Sequence, residues 1–147
     1  MIAQALLPLY LRDLNKLKEE ISLYKSENNL WILKNEIKNS SGTLALHLLG
    51  NLNYFIGAVL DNTGYVRKRE KEFADKNVPR EIILKEIEEV TAILQKVFPA
   101  ISDEKFNSEY PVEFLGAKRS VGEMLFILFG HLNYHLGQIN YHRRLVA

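Results

Sequence analysis

The first 25 residues carry one apolar stripe with alternating spacings of four and three residues. Its members are Ala3, Leu7, Tyr10, Leu14, Leu17, Ile21 and Tyr24. An α-helix brings positions with this spacing onto one face, and lysines and glutamates occupy much of the rest of the segment. We therefore predict an amphipathic helix over residues 3–25. Because proline removes a backbone donor, this helix should begin near Pro8 or bend there.

A second helix is predicted over residues 40–61, with Ser40 or Ser41 as its N-cap. Most of it is the apolar run LALHLLGNLNYFIGAVL, residues 44–60. The run is near the lower length limit for a membrane span. It contains three polar side chains that are costly in lipid, namely His47, Asn51 and Asn53. We therefore expect a buried core helix and no membrane partner.

Two further helices are predicted over residues 79–98 and 120–145. Pro79 suits the first turn of the third helix, and an apolar stripe follows it. Ser120 and Glu123 form an S-x-x-E capping box at the start of the fourth. Residues 99–118 lack a helical period and are predicted as a long loop between these helices. The pattern as a whole predicts an all-α four-helix bundle and a single domain over residues 1–147.

Composition narrows the partners of this domain. The 147 residues are 47% hydrophobic. The chain has 19 basic and 18 acidic side chains, so its net charge gives no support for a nucleic-acid partner. The basic run at residues 67–71 is interleaved with acids, which is typical of a solvated face. The chain has no cysteine, which excludes disulfides, thiolate ligands and a cysteine nucleophile. The N-terminus lacks the pattern of a secretion signal, and we expect a cytoplasmic protein.

The histidines are the residues that point to chemistry. His131 and His135 stand four apart on the fourth predicted helix, so one turn of helix offers both rings to one ion. His47 lies in the other strongly apolar helix. Two interpretations remain at this point: hydrogen-bonded core residues, or a shared metal site. Three neutral imidazoles suit zinc, nickel, iron or copper, and three protein ligands with a vacant position are typical of a catalytic site.

Other polar residues near these histidines are candidate catalytic groups. Gln138 follows His135 by one turn and could orient a water molecule, hold a ligand imidazole or bond within the core. Asn51 and Tyr54 share the face of His47 and either line a pocket or simply pack. His142 is not expected to be a ligand, since it belongs to the last turn, where positive charge suits the helix dipole.

Two motifs together resemble those of the DinB-like (YfiT-like) superfamily of bacterial four-helix metalloproteins. Members carry a histidine in the second helix, here His47 within HLLGNL, and a fourth-helix motif close to H-x-x-x-H-x-G-Q. The second motif is matched by HLNYHLGQ, which contains His131, His135, Gly137 and Gln138. The segment HLLGNLNYFIGAVLDNTGYVRKREKEF is similar to an uncharacterised branch of that superfamily.

This resemblance implies one divalent metal ion, nickel or zinc, held by His47, His131 and His135. It also implies a homodimer, and a metal-dependent S-transferase or hydrolase that acts on a small molecule. Some relatives act with bacillithiol, mycothiol or glutathione, and here the thiol would have to come from outside the chain. Leu136 stands where many members have arginine, which weakens the transfer of an anion-binding role.

The alternative is a non-catalytic helical dimer, in which the histidines only pack or the metal is only structural. A pocket beside the third ligand would favour the enzyme, whereas a closed site filled by Tyr54 or Phe129 would favour the alternative. The run MLFILF, residues 124–129, is apolar around the whole helix. Because one bundle core cannot easily cover every side, part of this run is expected to meet a partner chain.

Overall fold

A computed structural model describes residues 1–146, which form an all-α protein, as predicted. Six helices were found: α1 Ile2–Ser22, α2 Ser41–Asp61, α3 Arg69–Ala74, α4 Arg80–Val97, α5 Asp103–Asn107 and α6 Val121–Val146. Two short 3₁₀ turns, Glu27–Trp31 and Phe98–Ala100, lie in the connections. No strand occurs among residues 1–146, where only two isolated β-bridges form.

The four long helices begin and end within three residues of the predicted bounds. Two of their starts are fixed by side-chain caps. The amide of Thr43 donates to Ser40 Oγ over 3.3 Å at the start of α2. At the start of α6, the amide of Glu123 donates to Ser120 Oγ over 3.0 Å, and Glu123 Oε2 accepts from the amide of Ser120 over 2.6 Å. Both predicted caps are confirmed.

Two expectations for the backbone need comment. Helix α1 begins at Ile2 and includes Pro8, so a start at the proline is excluded and a bend there stays a prediction. Residues 99–118 are not an unbroken loop, because they contain α5, which Ser102 caps by accepting from the amide of Lys105. Phe106 on α5 is buried and packs where Gly122 leaves room, since a methyl group there would lie 2.3 Å from its ring. Phe106 is the one buried residue of this five-residue helix, and a single buried position cannot show a helical period in the sequence.

The four long helices contact one another in a closed cycle. Helix α1 packs against α4 and α6, and α2 packs against the same two helices, while α3 packs on α2. Helices α2 and α6 are antiparallel, because Ser41 at the start of α2 lies beside Ile139 late in α6, and His47 lies beside His131. Helix α2 is long and apolar enough to cross a membrane by length and composition, but 67% of its apolar window is buried inside the protein.

The chain itself covers most of the apolar run MLFILF. Met124, Leu125 and Leu128 are buried, and Ile127 and Phe129 are half-buried. Only Phe126 in this run is largely exposed, at 53%. The expectation that part of this run meets a partner chain therefore stays a prediction, and it now concerns the exposed Phe126.

Buried polar pairs also hold α1 against α6. Asn133 Nδ2 donates to Asp13 Oδ2 over 2.9 Å, and seven residues further along both helices Asn140 Nδ2 donates to Glu20 Oε1 over 2.7 Å. Arg143 adds an ion pair with Glu20. Because both carboxylates are buried and bonded, they fix the register of the two helices.

Candidate metal centre

Three histidine rings converge between α2 and α6. The centroids of His131 and His135 are 4.6 Å apart, and His47 lies 4.9 Å from the first and 5.3 Å from the second. The three rings are nearly perpendicular to one another, at 82–86°. One nitrogen from each ring lies within 4.8 Å of the other two. The structure therefore brings together the three residues that the sequence singled out, close enough to hold one metal ion.

His47 is held by a buried carboxylate from α3. Its Nδ1 lies 3.0 Å from Glu72 Oε1. Arg67 binds the same carboxylate twice, through Nε at 2.9 Å and through a terminal nitrogen at 3.0 Å. Burial alone would raise the pKa of Glu72, but the hydrogen bonds from His47 and Arg67 outweigh it, and the net effect is a lowered pKa. Because the ionised carboxylate only accepts, His47 carries its proton on Nδ1, and in the neutral ring Nε2 is a free ligand atom.

Gly50 makes this carboxylate contact possible. It follows His47 by three residues on α2, where a methyl group would lie 1.9 Å from Glu72 Oε2. That distance is far inside a van der Waals contact. Any larger residue at this position would therefore push the Glu72 side chain away from His47.

His135 has a similar partner. Its Nδ1 lies 2.6 Å from Gln138 Oε1, one turn further along α6. With Oε1 as the acceptor, Nδ1 carries the proton and leaves Nε2 of the neutral ring free. Burial lowers the pKa of His135, the hydrogen bond that His135 donates to Gln138 opposes this, and nearby His47 lowers the pKa further. The neutral form, which is the form that binds metals, is therefore favoured.

His131 is the central ring of the three. Its Nε2 lies 3.0 Å from His47 Nε2, whereas its Nδ1 is buried and has no hydrogen-bond partner among residues 1–146. Burial lowers the pKa of His131 to about 4, with smaller contributions from His135, His47 and the nearby arginines. A neutral imidazole that faces two others in a buried site has the donor chemistry of a metal ligand.

A cleft opens beside this centre. It has a volume of about 480 Å³ and is lined on the α6 side by Tyr134, His135, Gln138 and Tyr141. The opposite side is formed by residues 36–39 of the connection between α1 and α2. Of the three rings, His135 is therefore the one that faces the opening.

The remaining candidate residues fall in different places. Of the three catalytic candidates, Gln138 lines the cleft. Asn51 is buried on α2, and its Oδ1 has no partner within residues 1–146. Tyr54 packs edge-on against Phe55 at 4.9 Å. Phe129 packs against Tyr10 on α1 at 5.1 Å, so its ring lies on the side of α6 that faces α1.

His142 lies outside the group of three rings and is a core residue. Its Nε2 donates to the backbone oxygen of Ile32 over 2.8 Å, and its Nδ1 lies 2.6 Å from the hydroxyl of Tyr24. The same hydroxyl lies 2.6 Å from Ser41 Oγ. The ring is buried, and both of its nitrogens have partners within the protein.

Sequence reasoning missed Glu72 and Arg67. Both belong to residues 61–78, where alternating acids and bases were interpreted as a solvated face. Instead, their side chains are only 7% and 13% exposed. The single local signal was Gly50, because a glycine one turn after a buried histidine leaves space for a second residue.

Comparison with known proteins identifies a family but no activity. A family model described as "Protein of unknown function (DUF1572)" matches residues 9–147. No curated protein matches the chain.

Proposed function

The chain belongs to the DUF1572 family, whose description assigns no activity, and we propose from the three-histidine centre that it is a metal-dependent enzyme. His47, His131 and His135 would hold one divalent ion, zinc or nickel. The reaction would be the transfer of a low-molecular-weight thiol to a small molecule, or the hydrolysis of one. The chain has no cysteine, so the thiol would be a separate substrate.

One observation carries this proposal: three imidazoles converge beside an open cleft, and two of them have their outer nitrogens bound to acceptors. Acceptors of this kind fix the orientation of ligand rings in metal sites. A closed arrangement would have supported a structural role, whereas here His135 lines the opening.

Each residue has a role that follows from its contacts. Glu72 keeps the proton of His47 on Nδ1, and Gln138 does the same for His135. Since Gln138 also lines the cleft, its amide nitrogen is our candidate to orient the nucleophile. When bound, the ion supplies Lewis acidity, which lowers the pKa of a water molecule or thiol towards neutrality and makes it a nucleophile.

The wider relationship is also proposed. The closed cycle of four long helices and the two histidine motifs support a DinB-like four-helix bundle that forms one domain over residues 1–147. The same resemblance favours a bacterial, cytoplasmic homodimer with a small-molecule substrate and without nucleic-acid or membrane partners.

A direct assay tests the enzymatic claim. Protein purified without a nickel column is loaded with zinc or nickel and mixed with cysteine or glutathione and chlorodinitrobenzene, or with nitrophenyl acetate alone. In the first reaction a carbon–sulfur bond forms and chloride leaves, and in the second water cleaves the ester. We expect a metal-dependent rate in at least one reaction, lost in His135→Ala and kept in Leu115→Ala, whose side chain is exposed and does not line the cleft. Equal rates with and without metal would contradict the proposal.

One observation favours the non-catalytic alternative. His47 Nε2 and His131 Nε2 are 3.0 Å apart, which is a hydrogen-bond distance, so these two rings can bond directly to each other. In that case the rings would only pack, and the chain would retain no metal.

A further inference from the structure

We propose that the cleft beside His135 binds an amphipathic small molecule, with a metal-binding head group at the histidines and an uncharged apolar body along α6. This inference rests on the proposed function, because it takes the metal ion as the anchor of the head group. It adds the chemical class of the ligand, which the three histidines alone do not define.

The cleft is large enough for a small molecule and runs along α6. Its volume of about 480 Å³ is within the range of pockets that hold small-molecule ligands. His135 and Gln138 lie at one part of the wall, and Leu145 lies seven residues beyond Gln138 on the same helix. Seven residues of α-helix rise by about 10 Å, so a ligand that starts at His135 can extend two turns along α6.

The walls of the cleft carry large apolar side chains. Tyr134, Tyr141 and Leu145 line the cleft and are 65%, 66% and 51% exposed. Ile37 and the buried Leu44 complete the apolar side. Large apolar groups that remain exposed inside a concave surface gain most when a ligand covers them. The body of the ligand should therefore be apolar.

The rim of the cleft carries one acidic and one basic side chain. Glu36 and Lys38 are the acidic and basic side chains in the described lining, and both are exposed. Neither takes part in an ion pair within residues 1–146. Because the two charges are opposite, the rim selects neither an anionic nor a cationic body. The electrostatic attraction for a ligand is left to the histidine centre.

The test uses hydroxamates, which bind metal ions through one head group and can carry tails of different length. Zinc content is first measured on the full chain, and acetohydroxamate, hexanoylhydroxamate and octanoylhydroxamate are then titrated by calorimetry. We expect binding to the zinc-loaded protein only, with affinity that rises about tenfold or more from the shortest to the longest tail, because each added methylene buries apolar surface. Tyr141→Ala and Leu145→Ala should reduce this gain at least threefold and leave acetohydroxamate unchanged.

A matched control and three outcomes decide the proposal. Leu115→Ala removes an equally large exposed side chain outside the cleft and should keep the full gain. If the protein binds zinc but its affinity for hydroxamates is independent of tail length, this inference is overturned and the proposed metal site stands. Weaker binding of the longer tails by a protein that elutes as a dimer also overturns it, because a second copy would then cover the cleft. Absence of bound zinc overturns both proposals.

Discussion

Gly50 and Glu72 are in such close contact that a single methyl group at Gly50 would lie 1.9 Å from Glu72 Oε2. The glycine on α2 and the glutamate on α3 belong to consecutive helices, and their contact lets the carboxylate reach His47. The arrangement of the centre therefore depends on the space that Gly50 leaves for Glu72 as well as on the His47 ring itself.

Gly50→Ala should weaken metal binding without removing any ligand. The added methyl group displaces the Glu72 carboxylate, so His47 loses the acceptor that fixes its proton and its orientation. Loss of such a partner lowers metal affinity by about 10–100-fold. The measurement is the dissociation constant for zinc, obtained by competition with a coloured chelator.

The control for this change is Gly130→Ala. Gly130 precedes His131 on α6, and a methyl group there meets nothing within 4 Å. This variant should bind zinc as the parent does and gain about 0.4–1 kcal/mol of stability, since alanine reduces the entropy of the unfolded chain. Glu72→Gln should weaken binding as Gly50→Ala does, and Glu70→Gln on the exposed side of α3 should not. Unchanged affinity in both Gly50→Ala and Glu72→Gln would show that Glu72 does not support the centre.

The sequence predicted the parts of this centre that depend on spacing along one helix. His131 and His135 are four residues apart, and the apolar runs with their serine caps were enough to place both on α6 with His47 on α2. Glu72 and Arg67 could not be assigned in the same way. Their position depends on how residues 61–78 return across α2, and a local alternation of charges is the same whether the segment is solvated or folded over a histidine.

Tyr24→Phe should destabilise the fold and leave metal binding unchanged. Burial raises the pKa of Tyr24 to about 12, so its hydroxyl is neutral and bonds to Ser41 and His142 in the core. Removal of the hydroxyl leaves His142 Nδ1 buried without a partner, at a cost of about 1–3 kcal/mol. Chemical denaturation measures this cost.

Tyr141→Phe is the matched control for Tyr24, because Tyr141 is exposed on α6. Its free energy of unfolding should stay within about 0.5 kcal/mol of the parent. If Tyr24→Phe is as stable as the parent, the bonds of Tyr24 to Ser41 and His142 contribute no net stability.

Glu20 should make stability depend on pH in the acidic range. Burial would raise its pKa, but hydrogen bonds from Arg143 and Asn140 outweigh burial and lower it. A folded pKa below the unfolded one means that the stabilisation is complete above the unfolded pKa and is lost as pH falls through the folded pKa. Glu20→Gln should therefore be less stable than the parent at neutral pH by about 1–3 kcal/mol.

The difference between Glu20→Gln and the parent should shrink as pH falls from the ordinary pKa of glutamate through the lowered pKa of Glu20, where the parent carboxylate takes up its proton. Glu19→Gln changes an exposed neighbour and should show little difference at any pH. A gap between Glu20→Gln and the parent that is the same at neutral and acidic pH would contradict the role of the Glu20 charge.

The homodimer remains a prediction, and light scattering at micromolar concentration checks it. We expect twice the mass of one chain. The exposed Phe126 is the one large apolar side chain of residues 124–129 that the chain leaves largely uncovered, and Phe126→Glu should favour the monomer if this residue meets a partner. A monomer mass for the parent would rule out the dimer at that concentration.

His47, His131 and His135 are proposed to bind one ion together, and the proposed chemistry requires all three. The decisive measurement is the amount of metal bound per chain in four single variants, His47→Ala, His131→Ala, His135→Ala and His142→Ala. We predict about one divalent ion in the parent and in His142→Ala, because His142 bonds only within the core, and a loss of metal in the other three. Metal retained by His47→Ala as tightly as by the parent would contradict the three-histidine centre and the open-site chemistry proposed from it.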